Sequence, residues 1–271
     1  MKRLALCALI AMVLLSACGP ASTSSGTPIP PVPGWELVWH DEFDAEAIDT
    51  ANWTYDIGAG GWGNGEAQYY TSRPENARIE NGMLVIEARQ EKYEDSYYTS
   101  ARLKTQGLQS FQYGRIEARI KVPVGDGLWP AFWMLGSSFD GTNWPDCGEI
   151  DIMEYVGREP DLIIGTLHGP GYSGALGVSQ WNRQEYAIAD DFHTYAIEWK
   201  AGQIDWYYDG EKYHTVTPAD LSGRQWVFDQ PFFIILNLAL GGTLGGPIGL
   251  DTAFPTQYTV DYVRVYQAAG P

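Results

Sequence analysis

The sequence predicts an all-β protein, a two-sheet antiparallel β-sandwich, and three features predict this fold. Short segments of alternating apolar and polar residues follow one another along most of the chain. Turn signals such as Asn81-Gly82 and Asp209-Gly210 separate several of these segments. No long stretch has the 3.6-residue period of an amphipathic helix. Because 45% of the 271 residues are hydrophobic, the chain can bury one sizeable core, and we expect a single folded domain.

The first half of the domain begins with Trp35 and carries strands whose alternation or turns are clear. Residues 113–122 alternate regularly, and the Asn81-Gly82 turn joins two further segments into a hairpin. The predicted strands of this half cover residues 35–39, 77–80, 83–88, 113–122 and 128–135, and an acidic segment that begins at Cys147.

The second half contains a meander whose turns are Ala201-Gly202 and Asp209-Gly210. Pro218 suits the first position of a helix, so residues 218–222 are the one segment that indicates a helical turn. The predicted strands of this half cover residues 162–168, 193–200, 203–208, 211–216, 232–240 and 258–266.

The N-terminal residues indicate export. Lys2 and Arg3 precede an apolar run over residues 4–15 that is too short to span a membrane, so residues 1–17 are predicted to be a lipoprotein signal peptide. Residues 15–18, Leu-Ser-Ala-Cys, resemble the bacterial lipobox, in which Cys18 would become the lipid-bearing first residue. We therefore expect secretion across the bacterial inner membrane and lipid anchoring at the cell envelope; the alternative is an ordinary signal and a free extracellular protein.

A tether is expected to follow the lipid-bearing cysteine. Residues 18–33 are rich in Ser, Thr, Gly and Pro without apolar periodicity, which predicts a disordered linker, and residues 34–268 are expected to form the single catalytic domain. The net charge of −17 argues against binding to nucleic acid or anionic lipid, so membrane contact is expected only through Cys18. A monomer is expected. Cys147 is the only cysteine of the domain, and we expect a small buried apolar residue there rather than a reactive thiol.

The acidic segment has the pattern of a strand with one irregularity. Alternation places Cys147, Glu149 and Asp151 on one face, but would send Glu154 to the opposite, apolar face. An unpaired buried carboxylate is costly, whereas one extra residue in a β-bulge near Met153 returns Glu154 to the acidic face. The sequence therefore predicts a bulge and three carboxyls in a row.

Three neighbouring carboxyls repel one another unless they share protons, so their pKa values should separate. Such a separation suits retaining glycoside hydrolysis, which needs an ionised carboxylate as nucleophile and a protonated carboxyl as acid. The alternative is a solvated acidic edge strand with no catalytic role.

Residues 144–157, Trp-Pro-Asp-Cys-Gly-Glu-Ile-Asp-Ile-Met-Glu-Tyr-Val-Gly, resemble the active-site strand of glycoside hydrolase family 16. The extra Met153 is similar to the bulge of its laminarinases, which are endo-β-1,3-glucanases. The resemblance implies a concanavalin-like β-jelly roll with a concave substrate cleft. It also implies that Glu149 is the nucleophile, Asp151 the assisting carboxyl and Glu154 the general acid/base, without a catalytic cofactor.

On this resemblance we expect a retaining endo-β-glucanase that hydrolyses internal β-1,3 linkages of laminarin-type glucan, and possible activity on mixed-linkage glucan. One alternative is a member of the same family with another specificity, for lichenan or an agar-type galactan. The other is a noncatalytic cell-surface glucan-binding protein on the same sandwich.

Several aromatic and polar residues are candidates for substrate binding. Trp129 and Trp133 lie four apart and so share one face of a strand, where they could line the cleft or form a core pair. Trp144 could stack on the nonreducing side. Asn237 is a polar residue in an apolar strand and needs a partner, which could be a substrate hydroxyl or a backbone group.

The resemblance adds three further substrate residues and a metal site. It implies that Asn64, in a Gly-rich loop, and Arg102 contact sugar, although a plain turn and a surface ion pair are the alternatives. It implies that His168 lies on the leaving-group side near Glu154, whereas a hydrogen-bonded core histidine is the alternative. A structural Ca²⁺ away from the cleft would be held at the positions that match the family's ligands, which are Glu42, Gly82 and Asp261.

Overall fold

The structure, a computed structural model, describes residues 28–270. The predicted signal peptide (residues 1–17) and the first part of the predicted tether (residues 18–27) lie outside the described residues. Pro31–Pro271 clusters into one compact unit. In the described part of the chain, no helix has the length and apolar character needed to cross a membrane.

β-Strands are the main regular structure of the described chain. In chain order the strands are β1 (Trp35–Asp41), β2 (Thr54–Asp56), β3 (Gln68–Tyr70), β4 (Ala77–Glu80), β5 (Met83–Tyr93), β6 (Ser96–Ser100), β7 (Arg102–Lys104), β8 (Gly114–Lys121), β9 (Leu128–Gly136), β10 (Glu149–Tyr155), β11 (Leu162–His168), β12 (Val178–Arg183), β13 (His193–Lys200), β14 (Gln203–Tyr208), β15 (Glu211–Val216), β16 (Phe232–Leu240) and β17 (Thr256–Ala268).

Helical structure between residues 28 and 270 is limited to single turns. One α-helical turn, α1, covers Gly242–Gly245. The 3-10 turns are Gly61–Gly63, Ser137–Asp140, Gly174–Leu176, Ile188–Asp190 and Pro218–Leu221. The last of these confirms the helical turn predicted from Pro218, and Thr217 and Asp220 form a capping box at its start.

The strands form two sheets, as predicted for a sandwich. The seven-stranded sheet has the order β12-β11-β10-β9-β16-β7-β2. The ten-stranded sheet has the order β15-β14-β13-β8-β17-β5-β6-β3, with β1 beside β17 and β4 beside β5. The pairings among the described strands are antiparallel except that β3 runs parallel to β6. Some neighbours, such as β9 and β16 or β8 and β17, are distant in sequence, so the strand order brings together residues far apart in the chain.

All eleven strands whose bounds were predicted are present, with ends that differ by a few residues, and the acidic strand is β10. The short strands β2, β3, β6 and β7 were missed, as was β12, whose sequence Val-Ser-Gln-Trp-Asn-Arg has little apolar alternation. These strands are short or polar, and pairing with neighbours rather than local sequence defines them.

The core lies between the sheets and is rich in aromatic side chains. Trp53, Trp199 and Trp206 are at most 1% exposed. Burying a large apolar side chain stabilises a fold by about 2–3 kcal/mol. Gly165 on β11 makes room for this packing, because a Cβ atom there would lie 2.6 Å from Cδ1 of Trp206. Trp206 can therefore reach from the ten-stranded sheet to the inner face of the seven-stranded sheet.

Candidate active site

The predicted bulge is present in β10. Against β11 the register shifts between Asp151 and Glu154, and against β9 it shifts between Asp151 and Met153. Met153 is buried in the core. The bulge thus keeps Met153 inside while Glu154 stays on the same face as Glu149 and Asp151, which is the outer face of the seven-stranded sheet.

One row of paired residues crosses all seven strands of this face, because directly paired residues in antiparallel strands share a face. We call it the central row. Its members, from β2 to β12, are Asp56, Arg102, Asn237, Ala131, Glu154, Ile164 and Trp181.

The next rows contain the other two carboxyls. Asp151 is paired with Trp133 on one side and Thr166 on the other. Glu149 is paired with Leu135 and His168. The strand pairing therefore brings most of the predicted catalytic and substrate-binding residues onto one patch of the outer face.

Hydrogen-bond donors surround the carboxyls. Nε1 of Trp144 donates to Oε2 of Glu149 at 2.5 Å, and Nε1 of Trp129 donates to Oε1 of Glu154 at 3.2 Å. Trp144 is 43% exposed, so one face of its ring is open to solvent. Two of the three predicted tryptophans, Trp129 and Trp144, thus contact a carboxyl directly.

His168 lies closer to the start of the acidic strand than the resemblance implied. Its Nε2 is 3.2 Å from Oδ2 of Asp151 and 3.9 Å from Oε1 of Glu149, and these are its ion-pair contacts. Glu154, which was expected near His168, is not among these contacts. It is paired with Ile164, farther along β11. The bulge does not move Glu154 back toward His168.

The protonation of the acidic strand is set by burial. Burial raises the pKa of Glu149 to about 8; Asp151 adds to this rise, while His168 and the Trp144 donor oppose it. Burial raises the pKa of Glu154 to about 7, with an opposing effect of His168 and a further rise from Glu149. Burial and the Glu154 carboxyl also raise the pKa of Asp151 well above its usual range. The strand therefore holds protons near neutral pH, as the sequence predicted.

Arg102 is buried, not at the surface, and it lies in a charged network. It is 7% exposed, and its Nη2 lies 3.4 Å from Oε1 of Glu66, whose side chain is 1% exposed. Nη1 is 3.8 Å from Oδ2 of Asp56. The guanidinium also lies 4.7 Å from the ring centre of Tyr70 and 4.9 Å from that of Trp62. Arg102 thus forms an ion pair, as in the alternative to sugar contact, but the pair is internal to the site and not at the surface.

The remaining candidates join this network. Nδ2 of Asn64 donates to Glu66 at 3.2 Å. Oδ1 of Asn237 accepts a 2.6 Å hydrogen bond from Nε1 of Trp133, and its Nδ2 donates to the Tyr70 hydroxyl at 3.3 Å. The partner that Asn237 requires is therefore a pair of aromatic side chains.

Cys147 is fully buried, which confirms the expected small apolar residue. It packs with Leu135, Phe233 and Ile235, and Trp133 covers this cluster. Burial raises the pKa of the thiol to about 11, with a smaller contribution from Glu149, so the thiol is protonated at neutral pH.

The residues proposed for calcium lie on the other sheet. Asp261 is at a bulge of β17, since the register with β8 shifts between Val260 and Tyr262. Glu42 follows β1, whose last residue Asp41 is paired with Val263, and Gly82 precedes β5, whose Leu84 is paired with Val260. The three residues thus lie close to the middle of β17, around its bulge.

The side chains of Asp261 and Glu42 already form hydrogen bonds with arginines. Asp261 accepts a 2.8 Å hydrogen bond from Arg119 through Oδ2, and both Glu42 oxygens accept from Arg264. Backbone carbonyl and carboxylate oxygens are the donor types that Ca²⁺ prefers. Elsewhere in residues 28–270, one group of side chains could hold a metal ion: ligand atoms of Glu149, Asp151 and His168 lie within 4.8 Å of one another.

Sequence reasoning missed two kinds of supporting residue. Glu66 was visible in the segment Trp-Gly-Asn-Gly-Glu, but its burial against Arg102 depends on the fold. Trp206 donates from Nε1 to the backbone carbonyl of Asp151 at 2.8 Å, across the sandwich. No local signal in β14 distinguishes it from an ordinary core tryptophan.

Comparisons with known proteins agree with this geometry. A family model described as "Glycosyl hydrolases family 16" matches residues 64–264. A beta-glucanase of Rhodothermus marinus is 50% identical over an alignment of 246 positions that covers 87% of this chain and 86% of that protein. A glucan endo-1,3-beta-glucosidase A1 of Niallia circulans is 36% identical over an alignment of 278 positions that covers 90% of this chain but 40% of that protein. The endo-beta-1,3-glucanase structure from Pyrococcus furiosus has a TM-score of 0.85 and 48% identity, covering 88% of this chain and 96% of that one.

Proposed function

The chain belongs to the glycosyl hydrolases of family 16, and from this premise we propose that it is a retaining endo-β-1,3-glucanase acting on laminarin-type glucan. One observation carries the proposal. Glu149, Asp151 and Glu154 share the outer face of the seven-stranded sheet because of the bulge at Met153. The retaining mechanism requires two carboxyls that flank the scissile glycosidic bond about 5–5.5 Å apart, one to attack the anomeric carbon and one to protonate the departing oxygen.

In the first step, the ionised Glu149 carboxylate attacks the anomeric carbon of the sugar. The bond from that carbon to the glycosidic oxygen breaks, and Glu154 transfers its proton to the departing oxygen. In the second step, Glu154 accepts a proton from water, whose oxygen attacks the same carbon and releases Glu149. Two inversions leave the anomeric configuration retained.

The hydrogen bonds oppose the order of the raised pKa values, about 8 for Glu149 and about 7 for Glu154, which by itself would place the proton on Glu149. The reaction needs Glu149 ionised while Glu154 holds a proton, and the three interacting carboxyls bind protons as a set. The 2.5 Å hydrogen bond from Trp144 stabilises the ionised form of Glu149. The donor to Glu154 is longer, 3.2 Å from Trp129, so it stabilises that carboxylate less. A protonated Asp151 can also donate a hydrogen bond to Glu149 and so stabilise the ionised carboxylate. This is the assisting role that we propose for Asp151.

Substrate recognition is proposed for the residues that surround the carboxyls. Arg102, Asn64 and Asn237 are held by the Glu66 and Tyr70 network, so their remaining polar atoms have fixed directions for sugar hydroxyls. The rings of Trp129, Trp133 and Trp144 offer apolar faces to sugar rings. His168 contacts Asp151 and Glu149, and we propose that it tunes their charge.

The test is hydrolysis by the purified protein of laminarin, lichenan and agarose, with product size and anomeric configuration followed by NMR. We expect short oligosaccharides from laminarin that appear first as the β-anomer. Release only from lichenan or agarose would contradict the linkage preference, and α-anomers would contradict the retaining mechanism.

Substitutions test the roles of the carboxyls. Glu149→Ala and Glu154→Ala should each abolish laminarin hydrolysis. Azide should restore turnover of Glu149→Ala and give an α-glycosyl azide, because the small anion replaces the missing nucleophile with a single inversion. Full activity of either variant would exclude the assigned role.

We also propose a structural Ca²⁺ at Glu42, Gly82 and Asp261. The convergence of these residues at the β17 bulge supports it, as does the donor set of two backbone carbonyls and one carboxylate oxygen. The ion would tie β1 and β5 to β17, away from the carboxyls.

Export and anchoring through Cys18 at the cell envelope, with a monomeric domain, complete the proposal. The support is the Leu-Ser-Ala-Cys segment and the apolar run before it. Radiolabelled palmitate should enter the full chain expressed in a bacterium but not its Cys18→Ser variant, and light scattering should give the mass of one chain for the secreted domain. Unlabelled full chain, or a dimer mass, would overturn the respective part.

A further inference from the structure

Trp181 lies on the same face as the carboxyls and has no part in the site described above. It is on β12, the edge strand of the seven-stranded sheet, and is 57% exposed. It is paired with Ile164, which is in turn paired with Glu154. Trp181 is therefore the last member of the central row on the side of β11.

The orientation of the indole follows from its neighbours on β12. Val178 packs against the core. Gln180 is paired with Gly165, whose missing side chain makes room for Trp206 of the core. Alternation then directs Ser179 and Trp181 outward. Ser179 confirms this, because its Oγ accepts a 3.1 Å hydrogen bond from Oγ1 of Thr166, the residue paired with Asp151.

The row gives the distance from the carboxyl. Strands in a sheet lie about 4.8 Å apart, so Trp181 is about 10 Å from Glu154 across β11. Between them, Ile164 is 3% exposed yet does not belong to the core between the sheets. The apolar side chain of Ile164 on β11 thus lies between the acid Glu154 and the exposed ring of Trp181 on β12. The spacing between neighbouring strands is comparable to the length of one pyranose ring. A glucan chain that lies along the central row therefore has room for two rings between Glu154 and Trp181.

The two ends of the central row differ in chemistry. Toward β7 and β2 the row ends in the buried Arg102 and the partly buried Asp56, charges that fix hydrogen-bond directions. This end suits the sugar that stays covalently bound during the reaction. Toward β12 it ends in an exposed indole, which can hold a sugar ring by its flat face and release it again.

We propose that Trp181 binds the leaving-group side of the glucan chain, stacking on the second ring beyond the scissile bond. The inference rests on the proposed function, since it concerns the same cleft. It makes Trp181 a residue that determines the preference for long chains: substrates that extend past the first leaving ring gain this contact, and shorter ones do not.

The test compares two substrates in Trp181→Ala. Laminarin extends along the whole row, whereas a nitrophenyl β-glycoside of a β-1,3-gluco-oligosaccharide has no sugar on the leaving-group side. We expect kcat/KM on laminarin to fall about tenfold, as truncation of one interface tryptophan typically causes. On the nitrophenyl glycoside, kcat/KM should stay within about twofold, because the contact does not form. Trp181→Phe should keep most of the laminarin activity, since it retains an aromatic face.

A second readout locates the contact. With a β-1,3-glucan hexasaccharide labelled with ¹⁸O at its reducing end, Trp181→Ala should shift cleavage toward that end, because longer leaving groups lose their advantage. The control is Tyr97→Ala, which removes another exposed aromatic side chain. Tyr97 is 69% exposed and lies on the ten-stranded sheet. This variant should change neither the cleavage pattern nor the rate of hydrolysis.

The outcomes separate this inference from the proposed function. Equal losses on both substrates would overturn it, since the effect would then arise on the other side of the scissile bond or from the fold. Unchanged kinetics and cleavage pattern would overturn it as well. If the wild type does not hydrolyse laminarin at all, the proposed function fails instead.

Discussion

The indole of Trp206 holds the backbone of the acidic strand from the opposite sheet: its Nε1 donates to the carbonyl oxygen of Asp151 at 2.8 Å. Asp151 is the residue at which the bulge begins, so its pairing with the neighbouring strands is interrupted just beyond it. A buried carbonyl without a partner is costly. The contact therefore satisfies the carbonyl and fixes the bulge that orients Glu154.

We predict that Trp206→Phe loses activity beyond its loss of stability. Phe keeps most of the packing but removes the donor, which should cost about 1–3 kcal/mol of unfolding free energy. The bulge should then sample other arrangements, and kcat should fall about tenfold or more, as small misplacements of catalytic groups cause.

Trp199→Phe provides the control for this prediction. Trp199 is also buried and donates to a backbone carbonyl, that of Phe228, at 3.0 Å. Denaturant unfolding and laminarin kinetics should show similar stability losses in the two variants, with kcat reduced only in Trp206→Phe. Equal kcat values would show that the contact does not position the carboxyls.

The raised pKa of Glu149 predicts a dependence of stability on pH. Burial raises this pKa from 4.5 to about 8, so between these values the folded state keeps a proton that the unfolded chain has released. The folded state binds more protons, and this contribution to the unfolding free energy falls as pH rises through the window.

Glu149→Gln should remove the effect. It should be more stable than the wild type at pH 8 by about 2 kcal/mol, given about 1.4 kcal/mol per pKa unit and partial relaxation. The difference should shrink as pH falls toward 4.5 and vanish below that value, where the wild-type carboxyl is neutral in both states. Thermal unfolding across this range measures it, with the exposed Glu36→Gln as control. A constant difference at every pH would refute the prediction.

Trp129 should control the alkaline limit of activity. Its hydrogen bond to Glu154 favours the ionised carboxylate and so lowers the pKa, which stands at about 7. Trp129→Phe keeps a ring but removes the donor, so the pKa should rise. The alkaline limb of the kcat/KM profile, where Glu154 loses its proton, should move to higher pH.

Trp133→Phe is the comparison for this profile. Its Nε1 donates to Asn237 rather than to a carboxyl, so it should alter KM while the alkaline limb stays in place. A limb that is unmoved in Trp129→Phe would mean that this hydrogen bond does not set the pKa of Glu154.

Arg102 and Glu66 should be coupled in stability. Arg102→Met leaves Glu66, 1% exposed, without its cation, and breaking a buried ion pair costs about 3–5 kcal/mol. Adding Glu66→Gln removes the uncompensated charge and should restore part of this loss. Urea unfolding of the two single variants and the double variant gives the coupling energy; strictly additive losses would contradict a direct interaction.

Calcium should stabilise the fold if the proposed site at β17 binds it. At a concentration 100-fold above the dissociation constant, a single site adds about 2.7 kcal/mol to the unfolding free energy. Tm should therefore rise with added Ca²⁺ and fall with a chelator, whereas Asp261→Ala should lose this response. A wild-type Tm that changes with neither added Ca²⁺ nor a chelator would contradict the proposed site.

The acidic strand and its bulge could be predicted because their cause is local. Alternation places Glu149 and Asp151 on one face, and the cost of burying Glu154 requires an extra residue at Met153. Alternation and turn signals also predicted eleven more of the seventeen strands that the structure describes. They failed for β12, because Ser179 and Gln180 give that strand no apolar pattern and only pairing with β11 defines it.

The sequence by itself determined the sandwich, the bulge and the row of carboxyls, because hydrophobic periodicity and the cost of buried charge act within a few residues. The tertiary structure alone decided the central row, which joins Arg102 to Glu154 and Trp181 by the order of the strands. It also decided that Trp206 reaches Asp151 and that His168 lies against Asp151 rather than Glu154. These relationships depend on strand register across the sheets, which long-range packing sets and no local sequence pattern records.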